Sequence, residues 1–177
     1  GAPPVRQDDG PLGDLGLPAV TARTFHAHAL SQLRHYWPHH HDGAPLPDLL
    51  DSKLPLLVPL ARALPGNYRF TPAKDLADEI EWAKSRRLTA TTYAAAVAGS
   101  PFTAGRDAPI PVDLFTRLFA GYERAKARAN RIDFDDLLIE TVDLLETDAE
   151  AAETVRARKR WFCVDEYQDT NPLQQRL

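Results

Sequence analysis

Near the end of the chain, four apolar residues, Trp161-Phe162-Cys163-Val164, run directly into two adjacent carboxylates, Asp165 and Glu166. A short apolar run bounded by turn-forming residues suits a strand buried on both faces of a parallel sheet. Ligands of such sheets sit at the carboxyl ends of the strands, which is where the two acids would fall. Paired carboxylates there can serve a bound nucleotide. One helps to hold Mg²⁺ with waters retained in its shell, and the other orients or deprotonates the attacking water. The plainer alternative is a strand leading into a helix N-terminus, whose dipole favours acids in any protein.

The longer stretch Asp165-Glu166-Tyr167-Gln168-Asp169-Thr170-Asn171, with Gln174 three residues on, resembles motif II, the Walker B element, of the UvrD/Rep/PcrA helicases of superfamily 1. That resemblance implies Asp165 on the Mg²⁺ of bound ATP, Glu166 as the base for hydrolysis, and Gln168 as the reporter of the γ-phosphate state. Two further stretches stand in the family's order. Thr24-Phe25-His26-Ala27-His28-Ala29 resembles motif Ic, and Ile132-Asp133-Phe134-Asp135-Asp136-Leu137 is similar to the I/L-D-F-D-D-L signature. The first implies that Thr24, Phe25 and His26 contact DNA, and a hydroxyl, an imidazole and helix N-terminal amides do suit a phosphate. The second makes Phe134 a stacking candidate for a base, with a place on the apolar core as the open alternative. The Phe25 to Leu30 run and the Trp37-Pro38 pair resemble an actinobacterial-type UvrD helicase.

The elements that must position these residues can be read from spacing. Ala19 to Arg23 leans towards a strand, and Thr24 can cap a helix with Phe25, Ala29, Leu33 and Tyr36 on one side. His39, His40 and His41 are consecutive and cannot all converge on one ion from regular structure, so they read as a solvated loop after a helix ended by Pro38. Pro47 to Leu64 is leucine-rich, but Pro55 and Pro59 predict two short pieces with a kink or break. A helix is expected from Thr71-Pro72, with Thr71 as its cap and Pro72 at its first position, Leu76, Ile80 and Ala83 inside, Trp82 on its flank, and terminal charges suited to the dipole (Lys84, Arg86 and Arg87 late). A short helix follows over 92–98, then a loop over 100–111. Asp113 is expected to cap a longer helix with Phe115, Leu118, Phe119, Tyr122 and Ala125 on its apolar side. Arg117, Arg124, Arg128 and Arg131 recur at intervals of seven, four and three and would share another face. Such a stripe could follow DNA phosphates, or could simply be a solvated face whose arginine stems cover apolar surface. Asp133 should cap the next helix with Asp136 at its third position, while Phe134, Leu137, Leu138, Thr141 and Leu145 face inwards. A last helix over 149–158 leads into the strand before Asp165.

Taken together, the resemblance implies an α/β fold, predominantly helical in this segment. Part of a RecA-like P-loop NTPase domain (1A), residues 1–47 and 147–177, would be interrupted by an inserted helical subdomain (1B) over 48–146. It implies ATP and Mg²⁺ as cofactors and single-stranded DNA and duplex junctions as partners, with repair proteins possible. The parent would be an ATP-dependent 3′-to-5′ DNA helicase acting in repair. A helicase subunit of a helicase-nuclease and a non-catalytic DNA- or protein-binding relic are the competing readings. Neither the phosphate-cradling loop G-x-x-x-x-G-K-[ST] nor the later motifs occur in the chain, so the segment alone is not expected to hydrolyse ATP. Unpaired strand edges would leave it prone to aggregation or partial order.

The totals set limits. At 177 residues the chain can bury one good core or two small ones. A formal net charge of −4 excludes a global basic field, though a local groove is all that nucleic acid requires. The single cysteine, Cys163, cannot form an internal disulfide and reads as a small core residue in a reducing compartment. No apolar run is long enough for a bilayer, so a cytoplasmic protein without a membrane partner is expected. Residues 1–18 carry Gly, Pro and Asp without periodicity and read as irregular.

Overall fold

The computed structural model describes residues 23–99, 108–158 and 163–177. The expected strand over 19–23 lies outside these residues except for Arg23, as do residues 1–18, Trp161, Phe162 and most of the loop after residue 99. The fold is mostly helical with a small parallel sheet. In chain order it comprises α1 (Phe25–His40), β1 (Asp48–Leu49), α2 (Leu54–Arg62), a 3₁₀ turn (Gly66–Phe70), α3 (Ala73–Ser85) and α4 (Tyr93–Gly99). Then follow α5 (Val112–Arg128), β2 (Arg131–Ile132), α6 (Phe134–Thr147), α7 (Ala149–Arg158), a second 3₁₀ turn (Tyr167–Asp169) and α8 (Pro172–Arg176). No helix among the described residues is long and apolar enough to cross a membrane.

Burial follows the helical period and produces two apolar cores. Leu57 of α2, Leu76 and Ile80 of α3, Tyr93 of α4, and Phe115, Phe119 and Tyr122 of α5 form the first. Ala29 and Leu33 of α1, Leu137, Leu138 and Val142 of α6, Ala151 of α7 and Leu173 of α8 form the second. Each fully buried leucine contributes about 1.5–3 kcal/mol relative to exposure, which is what holds α6 against α1. The chain passes between the cores at β1 and β2, which pair in parallel with Asp48 opposite Arg131 and Leu49 opposite Ile132. Leu50 extends the ladder by donating its N–H to the Ile132 carbonyl at 2.7 Å.

Several local expectations are corrected. Pro38 does not end α1, which continues to His40, and Pro59 does not split α2. Both prolines fall in the last turn of their helix, so each removes a single ladder bond where the ladder is about to stop, and Pro55 sits in the first turn, where no donor is needed. The caps of α3 and α5 are Pro72 and Pro111 rather than Thr71 and Asp113. Asp113 lies one position inside α5 and meets Arg117 at 3.1 Å instead. Cys163 is exposed, and both it and Val164 lie outside any strand. A strand exists only where a neighbour shares its hydrogen bonds, and none among the described residues pairs with this stretch.

Candidate functional site

The two ends of the site are built by helix caps. Thr24 Oγ1 accepts the Ala27 N–H at 3.1 Å, fixing the first turn of α1 and with it His26. Asp133 and Asp136 form a reciprocal capping box at the start of α6: the Asp136 N–H donates to Asp133 Oδ1 and the Asp133 N–H to Asp136 Oδ2, both at 2.9 Å. Phe134 is the first residue of that helix, and its ring meets the His26 ring edge to face, with centroids 5.6 Å apart. Phe134 does not face inwards as its helical spacing predicts; it is 40% exposed, because the first position of a helix precedes the apolar stripe that begins at Leu137. Phe25, next to His26, turns the other way and packs on the second core. His26 and Phe134 line one open cleft of about 620 Å³ with Lys53, Lys74, Arg86 and Asn171. Burial, and secondarily the Lys53 ammonium, lower the pKa of His26 below 6.5, so its imidazole is mainly neutral at neutral pH. It meets a ligand as a hydrogen-bonding group rather than as a cation.

Beneath Phe134 lies a buried ionic cluster. Lys84 Nζ of α3 sits 2.8 Å from both carboxylate oxygens of Asp133 and also bonds Asp136. Lys126 Nζ of α5 reaches Asp136 at 2.6 Å and Glu123 at 2.8 Å, and the Tyr122 hydroxyl donates to Asp133 Oδ2 at 2.8 Å. Burial alone would raise the pKa of Asp133, yet the Lys84 and Lys126 charges outweigh it and hold the carboxyl far below its usual range. Burial likewise opposes the charge on Lys84, and Asp133, Asp136 and Glu123 more than reverse it. On the other side of Phe134, Lys53 lies 3.0 Å from Asp135 Oδ2 and 2.8 Å from Glu81. The Asp135 contact is not aligned as a hydrogen bond, which leaves that oxygen with electrostatic support only. Burial raises the pKa of Asp135 in spite of Lys53.

The acidic turn is built differently. Asp165 and Glu166 are both exposed, and Glu166 takes a left-handed backbone with φ of 50°. The Glu166 N–H donates to Asp165 Oδ1 at 3.0 Å, and Gln168 Nε2 donates to Glu166 Oε2. Asn171 caps α8 in a second capping box with Gln174, which anchors the turn's far end beside Leu173 in the second core. The three polar side chains of the resemblance thus cluster on a single turn. Two carboxylates free to face solvent suit a hard cation that keeps most of its waters.

The arginine stripe is only partly a stripe. Arg117, Arg124 and Arg128 are exposed on α5, but α5 ends at Arg128, and Arg131 lies on β2 with Asp48 at 3.6 Å. The consecutive histidines go to separate partners: His40 Nε2 meets Asp148 at 2.9 Å, and His41 stacks on Trp37 with ring centroids 3.6 Å apart. Lys53, Lys84, Lys126 and Tyr122 are the site-supporting residues that sequence reading passed over. A signal existed for Lys126, which stands four residues after Tyr122 on the apolar side of α5 and so needed a buried acid.

Comparison with known proteins gives one family. The model of the UvrD/REP helicase N-terminal domain matches residues 7–177. ATP-dependent DNA helicase UvrD2 of Mycobacterium tuberculosis is 41% identical over 169 residues, covering 92% of this chain and 23% of the relative. ATP-dependent DNA helicase UvrD1 of Mycobacterium leprae is 47% identical over 57 residues, covering 32% of the chain and 7% of the relative. ATP-dependent DNA helicase PcrA of Staphylococcus aureus is 40% identical over 60 residues, covering 34% of the chain and 8% of the relative. The chain therefore spans about a quarter of the length of the UvrD2 relative, at 23%.

Proposed function

The chain belongs to the UvrD/REP helicase N-terminal domain family, and from that premise we propose that it forms the strand-gripping part of an ATP-dependent DNA helicase. The carrying observation is that His26 and Phe134, far apart in sequence, meet edge to face in one cleft that Asn171, just after the acidic turn, also lines. An aromatic ring beside a neutral imidazole and a helix N-terminus can stack a base and hydrogen-bond its phosphate. Thr24 and His26 take the backbone and Phe134 takes a base of single-stranded DNA. Arg117, Arg124 and Arg128 offer a second, weaker path for phosphates, with Arg131 displaced from it onto the strand.

The acidic turn is the nucleotide-facing element in this reading. Asp165 would hold the Mg²⁺ of Mg·ATP through its exposed carboxylate, Glu166 would serve as the base for the attacking water, and Gln168, which already donates to Glu166, would register the γ-phosphate. When bound, the metal supplies charge stabilisation to the transferring phosphoryl group. Residues 1–47 and 147–177 then belong to a RecA-like domain 1A and 48–146 to an inserted subdomain 1B, in a cytoplasmic repair helicase of 3′-to-5′ polarity that acts at duplex junctions. The first core, drawn from residues between Leu57 and Tyr122, supports an inserted unit, whereas α6, although within 48–146, packs with α1, α7 and α8 in the second core.

Titrating labelled oligo(dT) into the full-length protein at several salt concentrations tests the grip. Affinity should fall with salt by roughly 0.7 log units per log unit for each phosphate neutralised, and His26→Ala and Phe134→Ala should each weaken it. Binding that ignores both substitutions would move the strand path out of this cleft.

A further inference from the structure

In the run Asp133-Phe134-Asp135 the usual partition is inverted: Asp133 is 1% and Asp135 9% exposed, while Phe134 is 40% exposed. Burying carboxylates costs solvation that the protein recovers only by surrounding them with charge, and leaving a phenyl ring in water forgoes a favourable burial. Both departures occur in three consecutive residues, and apart from the Asp136 N–H of the capping box the compensating groups come from elsewhere in the chain. Lys84 comes from α3, Tyr122 and Lys126 from α5, and Lys53 from just before α2. The first turn of α6 is thereby clamped on both sides of the exposed ring, and the ring is pressed edge-on against His26 of α1.

We propose that Lys84, with Tyr122 and Lys126, is a positioning residue for the nucleic-acid grip: it holds the acids of the α6 cap so that Phe134 stands out of the core, at a fixed angle to His26, where a base can stack on it. The part concerning DNA rests on the reading of the cleft as the strand path; the geometric part does not. Because Lys84 and Lys126 belong to the helices of the first core and His26 to the second, the clamp also ties the orientation of one core to the grip formed by the other. Lys84 touches no ligand itself and acts through Phe134.

A double-mutant cycle on the full-length protein tests this, with oligo(dT) as the probe and the imidazole proton shifts of His26 as a second readout. Phe134→Leu should weaken oligo(dT) binding about tenfold, the stacking of a single base. Lys84→Met, still melting cooperatively, should weaken it by several fold. The pair together should do no worse than Phe134→Leu alone, because Lys84 has nothing to position once the ring is gone. The His26 shifts of Lys84→Met should move towards those of Phe134→Leu as the ring current is lost. Tyr122→Phe, which keeps the cluster's charge balance, serves in the same cycle if Lys84→Met fails to fold. Full additivity of the two losses, or unchanged His26 shifts in the folded Lys84 or Tyr122 variant, would overturn the proposal. If Phe134→Leu binds oligo(dT) like the parent, the cleft is not the strand path, and the His26 shifts alone decide whether the clamp positions the ring.

Discussion

The cap of α6 and the turn at Asp165–Gln168 both present adjacent acids, yet they are held in opposite ways. In the first, Asp133 is 1% exposed and meets two lysines and a tyrosine from other helices. In the second, the carboxylates are exposed, and the hydrogen bonds that shape them run between residues one or two apart. The same side-chain chemistry therefore sits in a low-dielectric clamp at one place and in water at the other. An acid that is buried and fully paired is committed to structure, whereas an exposed, loosely tied acid keeps its lone pairs for a ligand.

The contrast breaks most sharply if catalysis does not follow exposure. Glu166→Gln in the full-length protein should lower DNA-stimulated ATP hydrolysis by about 10²–10⁴-fold, the typical contribution of a general base, with an unaltered melting curve. A mutant that keeps full turnover would remove Glu166 from the chemistry.

One chemical change made in both regions gives the next largest effect. Asp133→Asn leaves Lys84 and Lys126 short of a counter-charge and should cost about 3–5 kcal/mol in urea unfolding. Asp165→Asn should leave the unfolding midpoint where it was and lower ATPase activity. Equal stability losses at the two positions would mean that the acidic turn is packed as tightly as the cap.

Acid sharpens the comparison further. Asp133 has its pKa held below the unfolded value, so its stabilisation is complete above about pH 4 and disappears as the pH falls through the folded value. His26 has the same sign of linkage, set at a higher pH. Its folded pKa lies below 6.5, so the unfolded chain takes up the proton first, and stability declines as the pH drops below 6.5. Unfolding midpoints measured from pH 7.5 downwards should show a shallow loss that His26→Gln removes, followed by a steeper one below about pH 4 that it does not. A single steep loss would assign the acid response elsewhere.

The smallest effect concerns the arginines. Arg124→Ala or Arg128→Ala should leave folding unchanged and reduce the salt slope of oligo(dT) binding by about 0.7 each if these side chains follow a strand. An unchanged slope makes them a solvated face, and Arg117, already spent on Asp113, should change it least.

The capping residues were legible because they act locally: Thr24 and Asp133 bond to backbone within the next helical turn. So were the inner faces of α3 and α5, since Leu76, Ile80, Phe115, Phe119 and Tyr122 follow the helical period. Phe134 was misplaced because helical spacing alone cannot tell the first position of a helix from the stripe that follows it. Lys84 read only as a late base suited to the helix dipole, and its partners Asp133 and Asp136 lie 49 and 52 residues away. Cys163 and Val164 carry a strand's composition, but composition does not supply a neighbouring strand.

The sequence by itself therefore determined the family, the helices and their caps, since these depend on contiguous residues and on bonds spanning three or four positions. Only the tertiary structure decided that His26 meets Phe134, that two buried lysines clamp the acids beneath it, and that the acids at 165 and 166 are exposed. Those outcomes depend on which helices pack together. Packing sets the local dielectric, and the dielectric determines whether a carboxylate is held as a structural ion or left available to a ligand.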